Sequence, residues 1–317
     1  MAKDLKNKPK PKPISKPPLV SVVMSVYNGE KYLREAIDSI LNQIFTDFEF
    51  IIINDGSTDD TLKIIKDYKD PRIVLISRKN KGLVASLNEG IKKARGKYIA
   101  RMDADDISLP ERFEKQVEYL EGHPEIDLVA SQIQTFYNNR DELIVYKPIT
   151  SYEIYYLLGA GSIIAHPSVI MRKNAVKKTG LYKQAMWPAE DYDLWSRIVN
   201  KSNAHNLPEV LLRYRINSQG ISDTNKELQN QQTVIFSGKI RKDIIGLNRL
   251  SLYIKLLYLQ KSGKKLLPNY STKNYIVGLA TGVLQDIRDD TLINKLLSIK
   301  IKIILKLVAS YRDEVKN

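Results

Sequence analysis

Three carboxylates follow a short apolar run in the first half of the chain. Asp103, Asp105 and Asp106 come directly after Tyr98–Met102, a segment whose apolar character predicts a buried strand. Carboxylates this close in sequence repel one another unless a cation shares them. A hard divalent metal, bound through one or two carboxylates and the phosphates of a substrate, is the natural partner of such a cluster. The alternative for these residues, here called the acidic loop, is a solvated acidic turn ahead of the next helix.

Strands and helices alternate around the acidic loop. Apolar runs predict strands at Val20–Val26, Phe48–Ile53, Ile73–Ile76 and Tyr98–Met102. Between them, apolar residues recur three or four positions apart, which predicts a helix in each gap. This alternation predicts an α/β fold with right-handed βαβ units and a mainly parallel sheet flanked by helices.

Polar residues follow three of these strands, and parallel pairing would bring them to one edge. Tyr27 follows the first strand, and Asn54 and Asp55 follow the second, as the acidic loop follows the fourth. Open α/β sheets bind their ligands at the carboxyl ends of the strands, so the sequence predicts one pocket that all three segments line. Ser57 or Thr58 is predicted to cap the helix after the second strand.

The second half of the chain has a different pattern. A helix is predicted through Phe113, Val117 and Leu120, and strands are predicted at Ile126–Gln134, Val169–Met171 and Val210–Arg215. From about residue 224 onward the sequence is basic and helical in pattern.

The net charge of +14 is concentrated at the two ends of the 317-residue chain. Residues 1–18 carry six Lys and one Asp, and residues 238–317 carry 16 Lys or Arg and six Asp or Glu. The repeated Lys-Pro pairs predict a disordered basic tail over 1–18. This leaves a nearly neutral domain over 19–237 and a basic helical region over 238–317. The neutral body argues against nucleic acid as a partner, because nucleic-acid enzymes concentrate basic charge around the cleft.

The expected location is the cytoplasm. The chain has no cysteine, which excludes disulfides and thiolate chemistry, and its Lys/Pro-rich start does not resemble a secretory signal. Residues 294–308 place Lys295, Lys302 and Lys306 on one face of a predicted helix, and the opposite face is apolar except for Lys300, which weakens the pattern. Such a helix either packs on the protein or makes peripheral contact with the anionic inner face of a membrane. No uninterrupted apolar run is long enough to span a bilayer.

Six short segments, taken in order, resemble one known family. They are Val22–Asn28, Asn54–Asp59, Asn80–Gly82 with Asn88–Gly90, Ala94–Ile99, Met102–Asp106 and Glu190–Trp195. Together they resemble the family 2 glycosyltransferases, from about Leu19 to about Ser222. The resemblance implies a GT-A fold with a Rossmann-like sheet, so residues 19–237 are expected to be the catalytic domain. The last segment is similar to its counterpart in the branch that builds bacterial surface polysaccharides.

The resemblance also implies a reaction and a donor site. An inverting enzyme would move a sugar from a nucleoside diphosphate donor, usually a UDP-sugar, to an acceptor hydroxyl on a glycan or a lipid-linked saccharide. The implied nucleotide-binding residues are Tyr27 at the base, Asp55 at the uracil N–H and Asp103 at the ribose. Asp105 matches the ligand of a Mn²⁺ or Mg²⁺ ion, which neutralises charge on the leaving UDP, and Asp106 supports that ligand.

The acidic pair in the last segment matches the acceptor side of the family's site. By the resemblance, Asp191 is the general base, which inversion requires on the face opposite the leaving group. The structural alternative is that Asp191 only interacts with the dipole of a helix N-terminus. The residues predicted to contact the donor sugar or the acceptor are Glu190, His166, Trp187 and Arg215.

One position departs from the family pattern. Many relatives have a His two residues after a Tyr-Arg pair, whereas here Tyr214-Arg215 leads to Asn217, so a His contact to metal or diphosphate is not expected.

Two other classes of protein stay open. A sugar nucleotidyltransferase would carry a Gly-rich loop after the first strand, where this chain has Tyr27 and Asn28. A non-enzymatic basic protein would bind membrane or nucleic acid.

Overall fold

The first half of the chain consists of parallel strands with helices between them. The computed structural model of the protein describes residues 16–233 apart from 139, 159, 160, 218 and 219. The strands are β1 (Val20–Val26), β2 (Phe48–Asn54), β3 (Ile73–Ser77) and β4 (Tyr98–Met102), and the helices are α1 (Leu33–Leu41), α2 (Thr61–Asp67) and α3 (Leu83–Lys93). The strands pair in the order β3-β2-β1-β4, all parallel. Each strand lies within one residue of its predicted bounds.

The second half of the chain adds antiparallel strands to the same sheet. Its elements are β5 (Ile107–Ser108), α4 (Arg112–Gly122), β6 (Ile126–Tyr137), β7 (Arg140–Val145), α5 (Ser151–Leu157), β8 (Ile170–Arg172), α6 (Lys173–Thr179), α7 (Glu190–Val199), β9 (Asn203–Arg215) and α8 (Ile221–Thr224). The sheet continues from β4 in the order β8-β6-β9-β5, and β7 pairs with β6. β8 is antiparallel to both β4 and β6, and β9 is parallel to β6. The predicted α/β fold is confirmed, with a parallel first half and a mixed second half.

The sequence patterns miss several elements of the second half, among them β7 and the start of β9. β7 contains Arg140, Asp141 and Glu142, and its polar, exposed face lacks the apolar alternation of a half-buried strand. β9 begins seven residues before the predicted Val210, because Pro208 and the polar residues around it conceal the early part of the strand.

The parallel strands are buried on both faces, which explains their continuous apolar sequences. Val20, Val22 and Met24 of β1 pack in one layer with α1 and α4, whereas Val23 packs in the other layer with α3 and α7. The same alternation directs successive residues of β4 to opposite layers.

A buried polar cluster closes the amino edge of the parallel strands. Glu49 on β2 is 3 % exposed and accepts hydrogen bonds from Ser21 Oγ at 2.6 Å and from Arg95 Nε at 2.7 Å. Gly96 N–H donates to the same Ser21 Oγ at 2.8 Å. Burial would raise the pKa of Glu49, but these hydrogen bonds and the charge of Arg95 lower it overall.

The predicted regions at the two ends of the chain are not part of this description. The basic helical region 238–317, and all but three residues of the basic tail 1–18, lie outside the described residues. Among the helices that the structure describes within 16–233, none is both long and apolar enough to cross a bilayer.

Gly90 lies where α3 packs closely on the sheet. A Cβ atom at this position would come within 2.4 Å of Val23 Cγ1 and 3.0 Å of Ile53 Cδ1. We expect Gly90→Ala to lower the free energy of unfolding by about 1–3 kcal/mol, because overpacking outweighs the better helix propensity of Ala. Urea unfolding followed by circular dichroism measures the change. The matched control is Gly122→Ala, because nothing lies within 4 Å of that Cβ position. Equal effects of the two substitutions would contradict the prediction.

Candidate active site

The carboxyl edge of the parallel strands collects the polar residues predicted to lie there. Because β1, β2 and β4 are parallel neighbours, Tyr27, Asp55 and Asp103 follow strands that end at the same edge. Tyr27 is 54 % exposed and therefore accessible to a ligand, whereas Asp55 is only 2 % exposed. The structure thus brings the three predicted nucleotide-binding residues to one edge of the sheet.

Hydrogen bonds join the loop after β1 to the loop after β2. Asn28, in a left-handed conformation with φ 51°, accepts from Thr58 N–H and donates its own N–H to Ser57 Oγ, both at 2.9 Å. Further hydrogen bonds join Gly29 to Thr61, and Glu30 to Asp59 and Asp60. Ser57 and Thr58 therefore link the two loops and do not cap α2, so the predicted cap is wrong.

Asp55 anchors the loop between β3 and α3. Its carboxylate accepts from Lys81 N–H at 2.8 Å and Gly82 N–H at 2.9 Å, and it pairs with the Arg78 guanidinium. Arg78 also donates to Glu89 at 2.7 Å, which fixes its plane. A hydrogen bond from a uracil N–H would therefore share this carboxylate with Arg78. Arg78 was not among the predicted site residues, although a charged residue directly after the third strand is a usable signal.

Gly56 allows the loop after β3 to lie close against the loop after β2. Its φ of +77° favours glycine, and a Cβ atom there would lie 2.5 Å from Asn80 N and 3.1 Å from the Lys79 carbonyl carbon. The sequence Asn54-Asp55-Gly56 thus turns sharply enough to let the backbone after β3 bind Asp55.

Two carboxylates of the acidic loop have polar partners on neighbouring elements. Asp103 pairs with Arg101 of β4, whose side chain is 5 % exposed, while 30 % of the Asp103 side chain stays accessible. Asp105 Oδ2 accepts from Asn217 Nδ2 at 2.9 Å. Asn217 is the residue that departs from the family pattern, and the structure places it against the predicted metal ligand.

Arg215 supports the backbone of the acidic loop. Its N–H donates to Asp106 Oδ1 at 2.8 Å, and its Nε donates to the Asp105 carbonyl at 2.6 Å. The rings of Tyr32 and Phe136 flank its guanidinium, and their centroids lie 4.2 and 4.4 Å from Arg215 Cζ. Arg215 is 6 % exposed, and these contacts hold the acidic loop in place. The direct donor or acceptor contact predicted for it stays a prediction.

The carboxylates of the acidic loop repel one another, and a divalent cation would offset that repulsion. Burial, and then the charge of Asp103, raise the pKa of Asp105, and the same causes raise the pKa of Asp106 well above its usual value. Asp106 Oδ2 is buried without a hydrogen-bond partner among the described residues. Nowhere in the described chain do three or more His, Cys, Asp or Glu side chains form a ready-made metal cage. The donor set fits Mn²⁺ or Mg²⁺ held jointly by carboxylate and substrate phosphates.

Glu190 and Asp191 begin α7. Glu190 is 4 % exposed, whereas Asp191 is half-buried, with Oδ1 accepting from Tyr192 N–H at 2.6 Å. Burial raises the pKa of both carboxyls, and the charge of Asp191 raises the pKa of Glu190 further. The charges of Arg101 and Asp103 act on both groups, so the pair lies within electrostatic range of the acidic loop. A partly accessible carboxylate with a raised pKa suits proton abstraction near neutral pH.

Aromatic residues pack beside this acidic pair. His166 Nε2 lies 2.8 Å from Tyr182 Oη, and the His166 ring meets the Trp195 ring edge-on at 5.7 Å. Burial, and then the charge of Arg101, lower the pKa of His166 well below its usual value, so the imidazole is neutral. Trp187 is half-buried against the same layer, three residues before Glu190. His166 thus has the surroundings of a packing residue, and a ligand contact by His166 or Trp187 stays a prediction.

The sheet order, with an acidic loop at the end of its fourth strand, is that of the GT-A glycosyltransferase fold. Two solved structures share this fold at low identity. One is S. aureus TarS in complex with UDP-GlcNAc, with a TM-score of 0.55, 19 % identity and coverage of 83 % of this chain and 80 % of that chain. The other is the mannosyltransferase PcManGT from Pyrobaculum calidifontis in complex with GDP-Man and Mn²⁺, with a TM-score of 0.55, 15 % identity and coverage of 87 % and 89 %.

The chain belongs to glycosyl transferase family 2, whose model matches residues 21–180. It is similar to an uncharacterized glycosyltransferase of Haemophilus influenzae, with 35 % identity over 78 % of this chain and 83 % of the relative. It is also similar to the O-antigen biosynthesis glycosyltransferase WbnJ of Escherichia coli, with 36 % identity over 63 % of this chain and 81 % of the relative. The predicted family and fold are therefore confirmed.

Proposed function

We propose that the protein is an inverting glycosyltransferase that moves a sugar from a UDP-sugar to an acceptor hydroxyl. The observation that carries the proposal is the meeting of Tyr27, Asp55 and the acidic loop at the carboxyl edge of the sheet, with the Glu190–Asp191 pair within electrostatic range of that loop. A donor bound at that edge would have its sugar between the two acidic groups. The fold shared with TarS, solved in complex with UDP-GlcNAc, supports a UDP-sugar as the donor.

Four residues contact the nucleotide in this proposal. The exposed ring of Tyr27 packs against the base, and the Asp55–Arg78 pair faces its polar edge. Asp103, held by Arg101, accepts from the ribose hydroxyls. The hydrogen-bonded loops after β1 and β2 keep Tyr27 and Asp55 in position.

In this proposal the diphosphate lies at the acidic loop, where Asp105 would hold a Mn²⁺ or Mg²⁺ ion and Asp106 would support it. The Mn²⁺ in the mannosyltransferase complex supports the use of a divalent metal. A bound ion of this kind neutralises charge that develops on the departing diphosphate. Asn217 fixes the orientation of the Asp105 carboxylate through its hydrogen bond to Oδ2.

Asp191 is the general base of a single displacement. Its carboxylate takes the proton of the acceptor hydroxyl while the acceptor oxygen forms a bond to the anomeric carbon of the sugar. The bond from that carbon to the diphosphate oxygen breaks on the opposite face, and UDP leaves with the electron pair. Attack opposite the leaving group inverts the anomeric configuration. Glu190, beside Asp191, orients the acceptor.

The transferred group is a hexose or an N-acetylhexosamine, and the acceptor belongs to a cell-surface polysaccharide or glycolipid. The similarity to an O-antigen biosynthesis enzyme supports this setting. A glycan or a lipid-linked saccharide is then the acceptor, and the enzyme works in the cytoplasm against the inner face of the membrane.

A donor screen tests the proposal. The purified protein is incubated with Mn²⁺, a candidate acceptor and a panel of nucleotide sugars, and released nucleoside diphosphate is measured. We expect release from a UDP-sugar and a product whose anomeric configuration, read by proton NMR, is opposite to that of the donor. Retention of configuration would refute the single displacement, and release from a GDP-sugar alone would refute the UDP donor.

Membrane contact can be tested on the full chain. Lys295, Lys302 and Lys306, which motivate it, lie outside the described residues, so its support comes from the sequence alone. A Lys near an anionic surface contributes about 1 kcal/mol, so replacing all three with Gln should weaken binding to anionic liposomes about a hundredfold. Sedimentation with liposomes at low and high salt measures the binding. High salt should release the wild-type protein, because salt screens the attraction between the lysines and the anionic lipids.

The control is the replacement of three lysines in the described domain, Lys63, Lys66 and Lys69, which removes the same charge far along the chain from the predicted helix. It should leave sedimentation almost unchanged. If the wild-type protein stays in the supernatant at low salt, or if both triple variants lose binding equally, the predicted contact is wrong.

A further inference from the structure

An exposed carboxylate on α1 contacts a buried arginine at the end of β9. Glu35 lies in the first turn of α1, and its Oε2 accepts from Arg215 Nη2 at 2.7 Å. The Glu35 side chain is 47 % exposed, whereas that of Arg215 is only 5 % exposed. The two residues are 180 positions apart in the chain, so this ion pair joins the first helix of the fold to its last long strand.

The ion pair with Glu35 sets the direction in which the Arg215 guanidinium points. While Nη2 donates to Glu35, Nε donates to the Asp105 carbonyl at 2.6 Å. The rings of Tyr32 and Phe136 flank the group at 4.2 and 4.4 Å. Because the donors of a guanidinium are fixed in one plane, a partner that holds Nη2 also directs Nε toward the acidic loop.

The start of α1 is continuous with the loop that carries Tyr27. The Gly29 carbonyl accepts from Tyr32 N–H at 3.1 Å and from Leu33 N–H at 3.0 Å, which closes a turn directly after Tyr27. The helix turn that contains Glu35 follows this turn without a break. A contact made by Glu35 is therefore a contact with the loop after β1.

The other end of this connection is the pair of carboxylates in the acidic loop. Arg215 N–H donates to Asp106 Oδ1 at 2.8 Å, and Asn217 Nδ2 donates to Asp105 Oδ2 at 2.9 Å. These donors lie at the end of β9, two residues apart, beside the guanidinium that holds the Asp105 carbonyl. A displacement of Arg215 would therefore move the carboxylate of Asp105 as well.

We propose that Glu35 is a positioning residue of the donor site: through Arg215 it holds the acidic loop at a fixed separation from the loop after β1. A nucleoside diphosphate with its cation would contact both loops at once. A fixed separation lowers the entropic cost of making both contacts. The link to the cation rests on the proposed function of Asp105 as a metal ligand.

Hydrogen exchange, followed by mass spectrometry of the full chain, tests the anchoring in the metal-free protein. Glu35→Ala removes the contact with Arg215 and puts a strong helix former on the exposed face of α1. Peptides that cover the acidic loop should exchange about threefold faster in this variant, as expected for a partly exposed ion pair. In Arg215→Lys the exchange should be about tenfold faster, because the planar set of donors is lost as well.

Calorimetry of UDP tests the consequence for the site. In the presence of Mn²⁺, Glu35→Ala should weaken UDP binding about threefold, in line with the same ion pair. In EDTA its affinity should equal that of the wild type, because the contacts with the base do not depend on the acidic loop. A direct contact between Arg215 and the diphosphate predicts the opposite pattern, in which Arg215→Lys weakens UDP binding in EDTA and Glu35→Ala has no effect; this result would overturn the proposal.

The matched control is Asp38→Ala, which removes a second exposed carboxylate three residues further along α1. The Asp38 carboxylate accepts from Tyr68 Oη at 2.7 Å, away from the acidic loop along the chain. This variant should match the wild type in the exchange of the acidic loop and in the response of UDP binding to Mn²⁺. Thermal unfolding of both variants shows whether a difference between them reflects stability alone.

Unchanged exchange of the acidic loop in Glu35→Ala, or equal exchange in Glu35→Ala and Asp38→Ala, would overturn the proposal. Where Mn²⁺ strengthens UDP binding to the wild type, an equal affinity of Glu35→Ala would overturn it too, because Glu35 would then be a structural contact only. If the exchange rises as expected but Mn²⁺ does not strengthen UDP binding to the wild type, the proposed metal role of Asp105 fails and the anchoring by Glu35 stands.

Discussion

Asp191→Asn is expected to lower kcat by about 10²–10⁴-fold, because a carboxamide cannot accept the proton of the acceptor hydroxyl. Asp191 Oδ1 accepts from the backbone N–H of Tyr192, and the Asn oxygen can keep that hydrogen bond, so the start of α7 should stay intact. Affinity for UDP should be unchanged, since the donor contacts are at the other side of the site. Steady-state release of UDP gives kcat, and calorimetry gives the affinity.

The matched control is Asp193→Asn, two residues further along α7. Asp193 is ion-paired with Arg197 at 2.7 Å, so this substitution should lower stability but leave most of the turnover. A larger loss of kcat in Asp193→Asn than in Asp191→Asn would mean that the helix, and not the Asp191 carboxylate, accounts for the effect.

The pH dependence of the wild-type enzyme follows from the same residue. Burial raises the pKa of Asp191 to about 6, and only the ionised form accepts a proton. Turnover should therefore be full above that pH and fall as the pH decreases through about 6. A pH–rate profile measured with saturating donor checks this, and the acid limb should be absent from the residual activity of Asp191→Asn. A flat profile down to pH 4.5 would contradict the assignment of the base.

Asp105→Asn is expected to abolish metal-dependent transfer. The substitution removes the charge that the proposed Mn²⁺ or Mg²⁺ ligand contributes, so Mn²⁺ should no longer strengthen UDP binding. In the metal-free protein the variant should be at least as stable as the wild type, because Asp105 is repelled by the nearby charge of Asp103. Calorimetry of UDP with and without Mn²⁺ tests the first point, and thermal unfolding in EDTA tests the second.

The control for Asp105→Asn is Asp67→Asn, which removes an exposed carboxylate paired with Arg34 on the surface. It should affect neither transfer nor the response to Mn²⁺. Full activity of the wild-type enzyme in EDTA would remove the basis for the metal role of Asp105.

The parallel half of the fold could be predicted because its strands are buried on both faces. A continuous apolar run such as Val20–Val26 or Phe48–Ile53 is a strong signal, and its polar ending marks the edge where a ligand binds. The second half of the fold, in which parallel and antiparallel strands are mixed, was harder to predict. β7 is exposed and polar, and β8 is three residues long, so their pairing partners are set by tertiary contacts that no local pattern encodes.

The candidate site also has one part that the sequence predicts and another that it does not. Tyr27, Asp55 and Asp103 directly follow strands, so their meeting at one edge follows from parallel pairing. The burial of Arg215 behind the acidic loop depends on tertiary packing that the sequence does not indicate, and its contact with donor or acceptor stays a prediction. The ion pair of Arg101 with Asp103 was not predicted, although the two residues are close in sequence. The catalytic role of Asp191 and the metal role of Asp105 stay predictions that the two substitutions above will decide.

The loops after β1 and β2 are already ordered before a donor arrives. Asn28, Ser57 and Thr58 hold them together, and the loop after β3 is fixed to Asp55 in the same way. The conformational entropy of these segments is therefore lost when the chain folds and not when the nucleotide binds. Nucleotide binding should show a small entropic penalty and a heat capacity change set by the buried base alone, so the free protein acts as a rigid template for this half of its substrate.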